Sequence, residues 1–152
     1  MPGKSLLSKI KKIGHNIKYD WQVLRNAGIR MQGIYFDTMI AAYILNPGGR
    51  VYSLDGLAFE HFRKTMQKIE DLIGPKGKQG QLNMGQVDPK KVAYYAAEDA
   101  DITWQLYEKF NKEIKKRKQE QVFFDIDMPI VEILGEMEQE GILLDSEFLK
   151  KL

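Results

Sequence analysis

Three residues have the types and spacing that could do chemistry: an aspartate at position 20, a tyrosine at 95 and an aspartate at 99. Asp20 nearly closes the stretch GHNIKYDW, where a short apolar run meets Asn16, Lys18, Tyr19 and Asp20 in quick succession. Asn and Asp favour helix N-termini, because their side-chain oxygens accept the unpaired backbone N–H groups there. A carboxylate on the first turn of a helix that follows a strand is also well placed to hold a metal ion over the edge of a sheet. Tyr95 and Asp99, in YYAAEDADIT, are four apart, so on a helix both leave the same face with Cβ atoms about 5–6 Å apart. A carboxylate beside a phenol can hold a hard cation and orient a water on it, since carboxylate oxygens suit magnesium and manganese. The plain alternative is a core aromatic beside a solvated aspartate, and the pair taken alone favours it. Glu98 and Asp101 fall on other faces of the same helix and are expected in solvent.

These side chains need elements to place them. Ser5 to Ile10 suggests a short helix and Lys11 to Gly14 a brief strand. Residues 18 to 27 form a helix with Trp21 and Leu24 at helical spacing, stopped by Gly28. Ile29 to Phe36 is extended, and Asp37 and Thr38 cap a helix carrying Met39, Ala42, Tyr43 and Ile44, which Asn46-Pro47-Gly48-Gly49 ends. Ser53 to Phe62 is a further amphipathic helix, and Gly74 to Gly85 a loop. The longest helix starts at Asp88-Pro89, an N-cap with proline at the first helical position, and runs to about Lys116 with Tyr95, Asp99, Ile102, Thr103, Leu106 and Phe110 on one stripe. Residues 120 to 140 read as an amphipathic helix whose apolar face is Ile126, Ile130, Ile133, Leu134 and Met137. Gly141 closes it, Ile142 to Leu144 make a short strand, and Asp145 caps a final helix. So few short strands cannot make a stable open sheet, so the fold is mostly helical or the rest of the sheet lies upstream of Met1.

With 152 residues, 43% hydrophobic and 29% charged, the chain is of single-domain size with material for a real core. A net charge of +2 does not by itself specify a nucleic-acid partner. The absence of cysteine excludes a disulfide framework, a thiolate zinc site and a cysteine nucleophile. No stretch has the apolar core of a signal peptide or the roughly 20 apolar residues of a membrane span, so a soluble, cytoplasmic protein with no membrane partner is expected. His15 and His61 are isolated and are not read as metal ligands; His15 is expected to hydrogen-bond near the sheet edge. Arg50, in a GGR loop, could contact a phosphate as readily as sit in solvent. Lys76 and Lys78 read as a mobile polar loop rather than a DNA contact, and KKRK at 115 to 118 as a solvated helix end or linker. Trp21, Tyr43, Trp104 and Phe110 are assigned to the core, and Asp37 to capping.

Asn16-Ile17-Lys18-Tyr19-Asp20 followed by Tyr95-Ala96-Ala97-Glu98-Asp99 resembles two of the three signature motifs of the proofreading-type 3′-to-5′ exonucleases, RNase H-like enzymes whose four acidic residues bind two metal ions. The stretches FDTMIAAYILNP, SLDGLA, YAAEDADITWQLY and MPIVEILGEMEQEGILLD extend the likeness to the family A DNA polymerases of the bacterial DNA polymerase I kind, over nearly the whole chain from about Lys11. The resemblance implies an α/β, RNase H-like exonuclease fold, incomplete and mostly helical as present. It implies residues 1–118 as part of an exonuclease domain and 119–152 as the start of a polymerase domain. It makes Asp20 and Asp99 the metal-site carboxylates and Tyr95 the residue that orients the attacking water. Asn16, Tyr19 and Arg50 become neighbours of the substrate strand. The implied cofactors are two divalent ions, Mg2+ or Mn2+ with Zn2+ as a further option, about 4 Å apart on the scissile phosphate of a single-stranded DNA 3′ end. The implied product is a nucleoside monophosphate, and the implied partner is the polymerase domain of the same parent chain.

One departure bears on activity. The family's first motif, an Asp-x-Glu on an early strand, does not occur before Asn16. The chain is therefore expected to begin midway through the exonuclease domain, to bind divalent ions weakly and to have little or no activity alone. A truncated sheet edge would be a surface for self-association. Two other readings compete: a catalytically dead, exonuclease-like spacer of a family A polymerase, and a stand-alone enzyme like ribonuclease D, against which the stretch after Lys118 speaks.

Overall fold

In the computed structural model, which describes residues 10–75, 77 and 80–152, two short parallel strands lie at one end of a set of helices. Strand β1 (Lys12–Gly14) runs into helix α1 (Ile17–Asn26), and the chain returns as β2 (Ile34–Asp37). The register pairs Ile13 with Phe36 and Gly14 with Asp37. A parallel pair needs such a crossover, and here the crossover is the helix that carries Asp20. Gly28, with φ of 74°, turns the chain out of α1 in a conformation that glycine alone adopts freely. Helix α2 (Thr38–Leu45) follows β2 without a break, and α3 (Leu54–Phe62) and the short α4 (Ile69–Ile73) lead to α5 (Pro89–Lys116). With 28 residues, α5 is about 42 Å long and forms the spine of the molecule.

The bounds expected for α1, α2, α3 and α5 agree with the structure to within a residue or two. The expected helix over Ser5 to Ile10 lies outside the described residues except for Ile10, as do Lys76 and Lys78. Helix α4 was not expected from the sequence. Among the described residues no helix is long and apolar enough to cross a membrane.

The core lies where α5 packs against α2, α3 and β1. Phe36, Ile102, Leu106, Ile114 and Phe123 are fully buried. Phe36 meets the Phe123 ring at 4.5 Å and the Tyr107 ring edge-on at 4.9 Å. Phe123 belongs to a π-helical turn (Val122–Asp127) that precedes α6 (Met128–Glu140), so the segment after Lys118 completes the same core as β2 and α5.

That turn also corrects the face expected for residues 120 to 140. Ile126, Ile133 and Met137 are more than half exposed and Ile130 and Leu134 are not buried, whereas Phe123, Met128, Val131 and Gly135 are buried. A π-helical turn takes one more residue than an α-turn, so the buried positions step by five from Phe123 to Met128 before the ordinary spacing resumes. Pro129 lies at the junction and has no N–H to give to the α-helical ladder. Two further expectations fail in the same manner, by burial: Tyr43 is 54% and Trp104 52% exposed, while Trp21 and Phe110 are in the core as expected. Ile142 to Leu144 form no strand, because among the described residues no strand lies alongside, and all three side chains are exposed. A short helix, α7 (Ser146–Leu149), ends the chain, capped as expected by Asp145 accepting from the Phe148 N–H at 2.9 Å.

Candidate active site

The site is organised by a carboxylate that the sequence presents as a simple cap. Asp37 does cap α2, its Oδ1 accepting from the Met39 and Ile40 N–H groups at 2.8 and 3.3 Å. The same side chain, 1% exposed, also accepts from the Asn16 N–H at 3.2 Å and the Ile17 N–H at 2.7 Å. Asp37 stands beside Gly14 in the parallel register, so one buried carboxylate ends both strands and starts both helices. Asn16 enters α1 in the left-handed conformation, φ 57° and ψ 48°, which asparagine tolerates better than most residues. His15 Nδ1 lies 2.9 Å from Thr38 Oγ1, and Thr38 donates to the Gly14 carbonyl at 3.2 Å, which places the histidine at the sheet edge as the sequence suggested. Burial holds the His15 imidazole below its ordinary pKa, partly opposed by the Asp37 charge.

One turn into α1, Asp20 reaches an open cleft of about 440 Å3 between β1, α3 and α5. Asp99 lines the same cleft from α5, with Leu54, Thr103 and the exposed Trp104. Desolvation in the cleft raises the Asp20 pKa, and the Asp37 charge adds to it. Desolvation also raises that of Asp99, followed by the neighbouring Glu98 charge, while a hydrogen bond from the Tyr95 hydroxyl acts in the opposite sense. Tyr95 looks into an adjoining hollow of about 610 Å3 that shares Leu54 and Asp99 with the first. Its hydroxyl is pushed up by burial and then by the Asp99 charge and hydrogen bond. The structure therefore brings Asp20, Asp99 and Tyr95 into two hollows that meet at Asp99.

The other three expected residues are placed differently. Asn16 lines a separate apolar groove with Tyr43, Tyr52 and Leu134. Tyr19 is 63% exposed, and Arg50 is exposed in the loop between α2 and α3; neither is among the residues lining the two hollows. Among the described residues no group of three or more His, Asp or Glu could hold a metal ion. The donor set for a cation here is two carboxylates and a phenol, all oxygen, which fits a hard ion and leaves most of an octahedron to other ligands.

One acidic residue near the site was missed and another was misplaced. Asp55, on the first turn of α3, lines the hollow that Tyr95 and Asp99 face. The Ser53 hydroxyl holds its carboxyl below the usual range, and the backbone N–H groups of Gly56 and Asp55 add to this. The Ser-x-Asp spacing after a loop was the available signal. Glu98 was expected in solvent, but it is covered by residues 64–68, which no helical periodicity reveals. Its carboxylate accepts from the Gln67 N–H at 2.8 Å and pairs with Lys64 at 3.2 Å, and the Gln67 bond is the main cause of its lowered pKa. Glu98→Gln is expected to lower the melting temperature by about 2–5 °C, because the amide can still accept from the Gln67 N–H but lacks the charge that strengthens that bond and pairs with Lys64. Hydrogen exchange at the Gln67 amide checks it, and unchanged protection there would contradict the assignment. The KKRK run does end a helix: Arg117 donates to the Leu45 carbonyl at 2.6 Å and reaches Glu113.

Residues 3–115 match the family model described as 3′-5′ exonuclease. The chain is 39% identical over 143 residues to a protein from Borreliella burgdorferi named DNA polymerase I, covering 94% of this chain and 15% of that one. It is 38% identical over 144 residues to a protein of the same name from Chloroflexus aurantiacus, covering 93% and 15%. The chain thus spans about 15% of the length of these relatives. The solved POL domain of Pol1 from M. smegmatis, in complex with DNA primer-template and dNTP, superposes on 93% of this chain and 21% of its own length with a TM-score of 0.72. At 21% identity that is a likeness of fold.

Proposed function

The chain belongs to the 3′-5′ exonuclease family found in DNA polymerases I, and from that premise we propose that it supplies half of a two-metal hydrolytic centre that trims the 3′ end of a DNA strand. The observation that carries this is the shared cleft: Asp20 from α1 and Asp99 from α5 line one space, with the Tyr95 hydroxyl bonded to Asp99. Aspartates so distant in sequence have no packing reason to face the same solvent-filled hollow, and folding costs both of them solvation.

In this reading Asp20 and Asp99 are the acidic ligands and Tyr95 the orienting hydroxyl. A divalent cation, when bound, neutralises phosphate charge and acidifies water. Asp99 fixes the Tyr95 hydroxyl in place, and Tyr95 holds the attacking water in line with the phosphorus. Asp20, on a helix anchored through the Asp37 carboxylate, closes the opposite wall. The oxygen donors favour Mg2+ or Mn2+ over Zn2+, whose structural and catalytic sites draw more on nitrogen and sulfur. Asn16, Tyr19 and Arg50 contact the strand outside the hollows. Residues 1–118 are the exonuclease unit and 119–152 begin the polymerase unit, with Phe123 binding the second into the core of the first.

With two carboxylates, the chain alone should bind Mn2+ weakly, with a dissociation constant on the order of 1 mM. Titration of the labelled chain with Mn2+ tests this by nuclear magnetic resonance: paramagnetic broadening should centre on Asp20, Tyr95 and Asp99. Broadening elsewhere, or none, would remove the metal reading and leave the structural spacer.

A further inference from the structure

Helix α1 delivers Asp20 to the cleft, yet its main packing partner is α6, beyond the expected boundary at Lys118. Trp21, the residue after Asp20, is 6% exposed, and its ring lies against Gly135 of α6. A Cβ on Gly135 would stand 2.8 Å from both Cε3 and Cζ3 of that indole, nearer than side-chain carbons approach, so the two helices touch at this point with no room for a methyl group. One turn further along α6, Glu138 reaches across to both neighbours of Asp20 at two residues' remove. It pairs with Lys18 and accepts from Gln22 Nε2 at 2.7 Å. Arg25 lies over the Trp21 ring at 4.8 Å and pairs with Glu136 at 3.0 Å, and Gln139 donates to Asn26 Oδ1 at 3.2 Å. The polar ladder runs the length of α1 on the side away from the cleft.

We propose that α6 is the positioning element of the acidic cleft: Gly135 sets how closely α1 approaches, and Glu138 sets its rotation, and together they fix where the Asp20 carboxylate stands relative to Asp99. The inference rests on the reading of Asp20 as a site carboxylate, but its geometry is independent of whether an ion binds. The other anchor of α1, the Asp37 carboxylate, holds only its N-terminal end, so a helix fixed there and free at the far end would swing about Asn16 and carry Asp20 with it. Contact with α6 removes that freedom. A displacement of α6 would therefore reach the cleft through two residues, which gives the segment after Lys118 a means of altering the site.

The test uses Glu138→Ala and Gly135→Ala in the 152-residue chain, followed by carbon-13 detection of the Asp20 and Asp99 carboxyls through a pH titration. Glu138 is a partly exposed surface partner, so Glu138→Ala should leave the fold intact. We expect the ionisation constant of Asp20 to change about threefold or more in both variants, the lower end of coupling between contacting residues, while that of Asp99 stays put. Trp21→Phe in the Gly135→Ala background makes room for the methyl group and should restore the Asp20 titration. If both single variants melt at lower temperature yet titrate Asp20 as the parent does, α6 is a structural support and the proposal fails. Mn2+ binding by the same samples separates the two claims: a chain that binds no Mn2+ overturns the metal reading, and the Asp20 titration still decides the positioning role.

Discussion

Asp37→Ala is expected to lower the melting temperature by about 6–20 °C. Four backbone N–H groups, two on α1 and two on α2, end on this one carboxylate, which is 1% exposed. Losing a helix cap costs about 0.5–2 kcal/mol, and a buried donor left without a partner about 1–3 kcal/mol. Two caps lost at once amount to roughly 3–5 kcal/mol, and about 2–4 °C per kcal/mol applies at this chain length. Asp37→Asn keeps one acceptor oxygen and turns an amide group toward the Ile17 N–H, so it should fall between the parent and alanine. Asp88 offers the control: it caps α5 through a single bond to the Lys90 N–H at 2.9 Å in an exposed position, and Asp88→Ala should cost only about 1 kcal/mol. Melting followed by circular dichroism decides the matter, and an Asp37→Ala protein that melts within 2–3 °C of the parent, about 1 kcal/mol, would refute the double cap.

The same residue marks how far the sequence could be read. That Asp37 starts α2 was legible, because an N-cap is a local event: a short polar side chain, Thr38, then an apolar run. That it also starts α1 was not, because this requires Gly14 to lie beside Asp37 in a parallel register, and nothing local to either residue states it. The bounds of α5 were legible for the same local reason, with Asp88-Pro89 at one end and the lysines at the other. The buried face of residues 120 to 140 was misread because a π-helical turn shifts the phase of everything after it, and periodicity assumes a constant turn. Glu98 and Trp104 show the converse limit. Helical spacing reports which residues share a face but not what covers it, and a loop covers Glu98 while Trp104 looks into the open cleft. In the site, Asp20, Tyr95 and Asp99 were found by their resemblance to known motifs, since a Tyr and an Asp at helical spacing carry little information alone. The role of α6 in holding α1 was beyond any local reading, as it depends on a glycine whose significance lies in the tryptophan opposite.

Asp20→Asn and Asp99→Asn should each make the chain more stable at neutral pH without divalent ions and less stable than the parent with them. Both carboxyls have folded-state pKa values above their ordinary ones, chiefly through desolvation. Between the ordinary value and the raised one, the folded protein holds a proton that the unfolded chain has released. Stability therefore falls as pH rises through that window, and the full penalty is present at pH 7. Asparagine carries no charge to desolvate and, at position 99, can still accept from the Tyr95 hydroxyl, so in EDTA at pH 7 both variants should melt above the parent. The advantage should vanish below about pH 4, where unfolded carboxyls are protonated as well. Adding an ion that binds only the folded state reverses the order, because at ten times the dissociation constant it contributes about 1.4 kcal/mol, or roughly 3–5 °C, to the parent alone. A charge kept at a cost to folding and recovered when a cation arrives is what separates a binding carboxylate from a surface one, and a structural spacer has no cause to retain it. Should Asp99→Asn melt below the parent in EDTA, or should Mn2+ raise parent and variants equally, the two aspartates are supporting the fold rather than awaiting an ion.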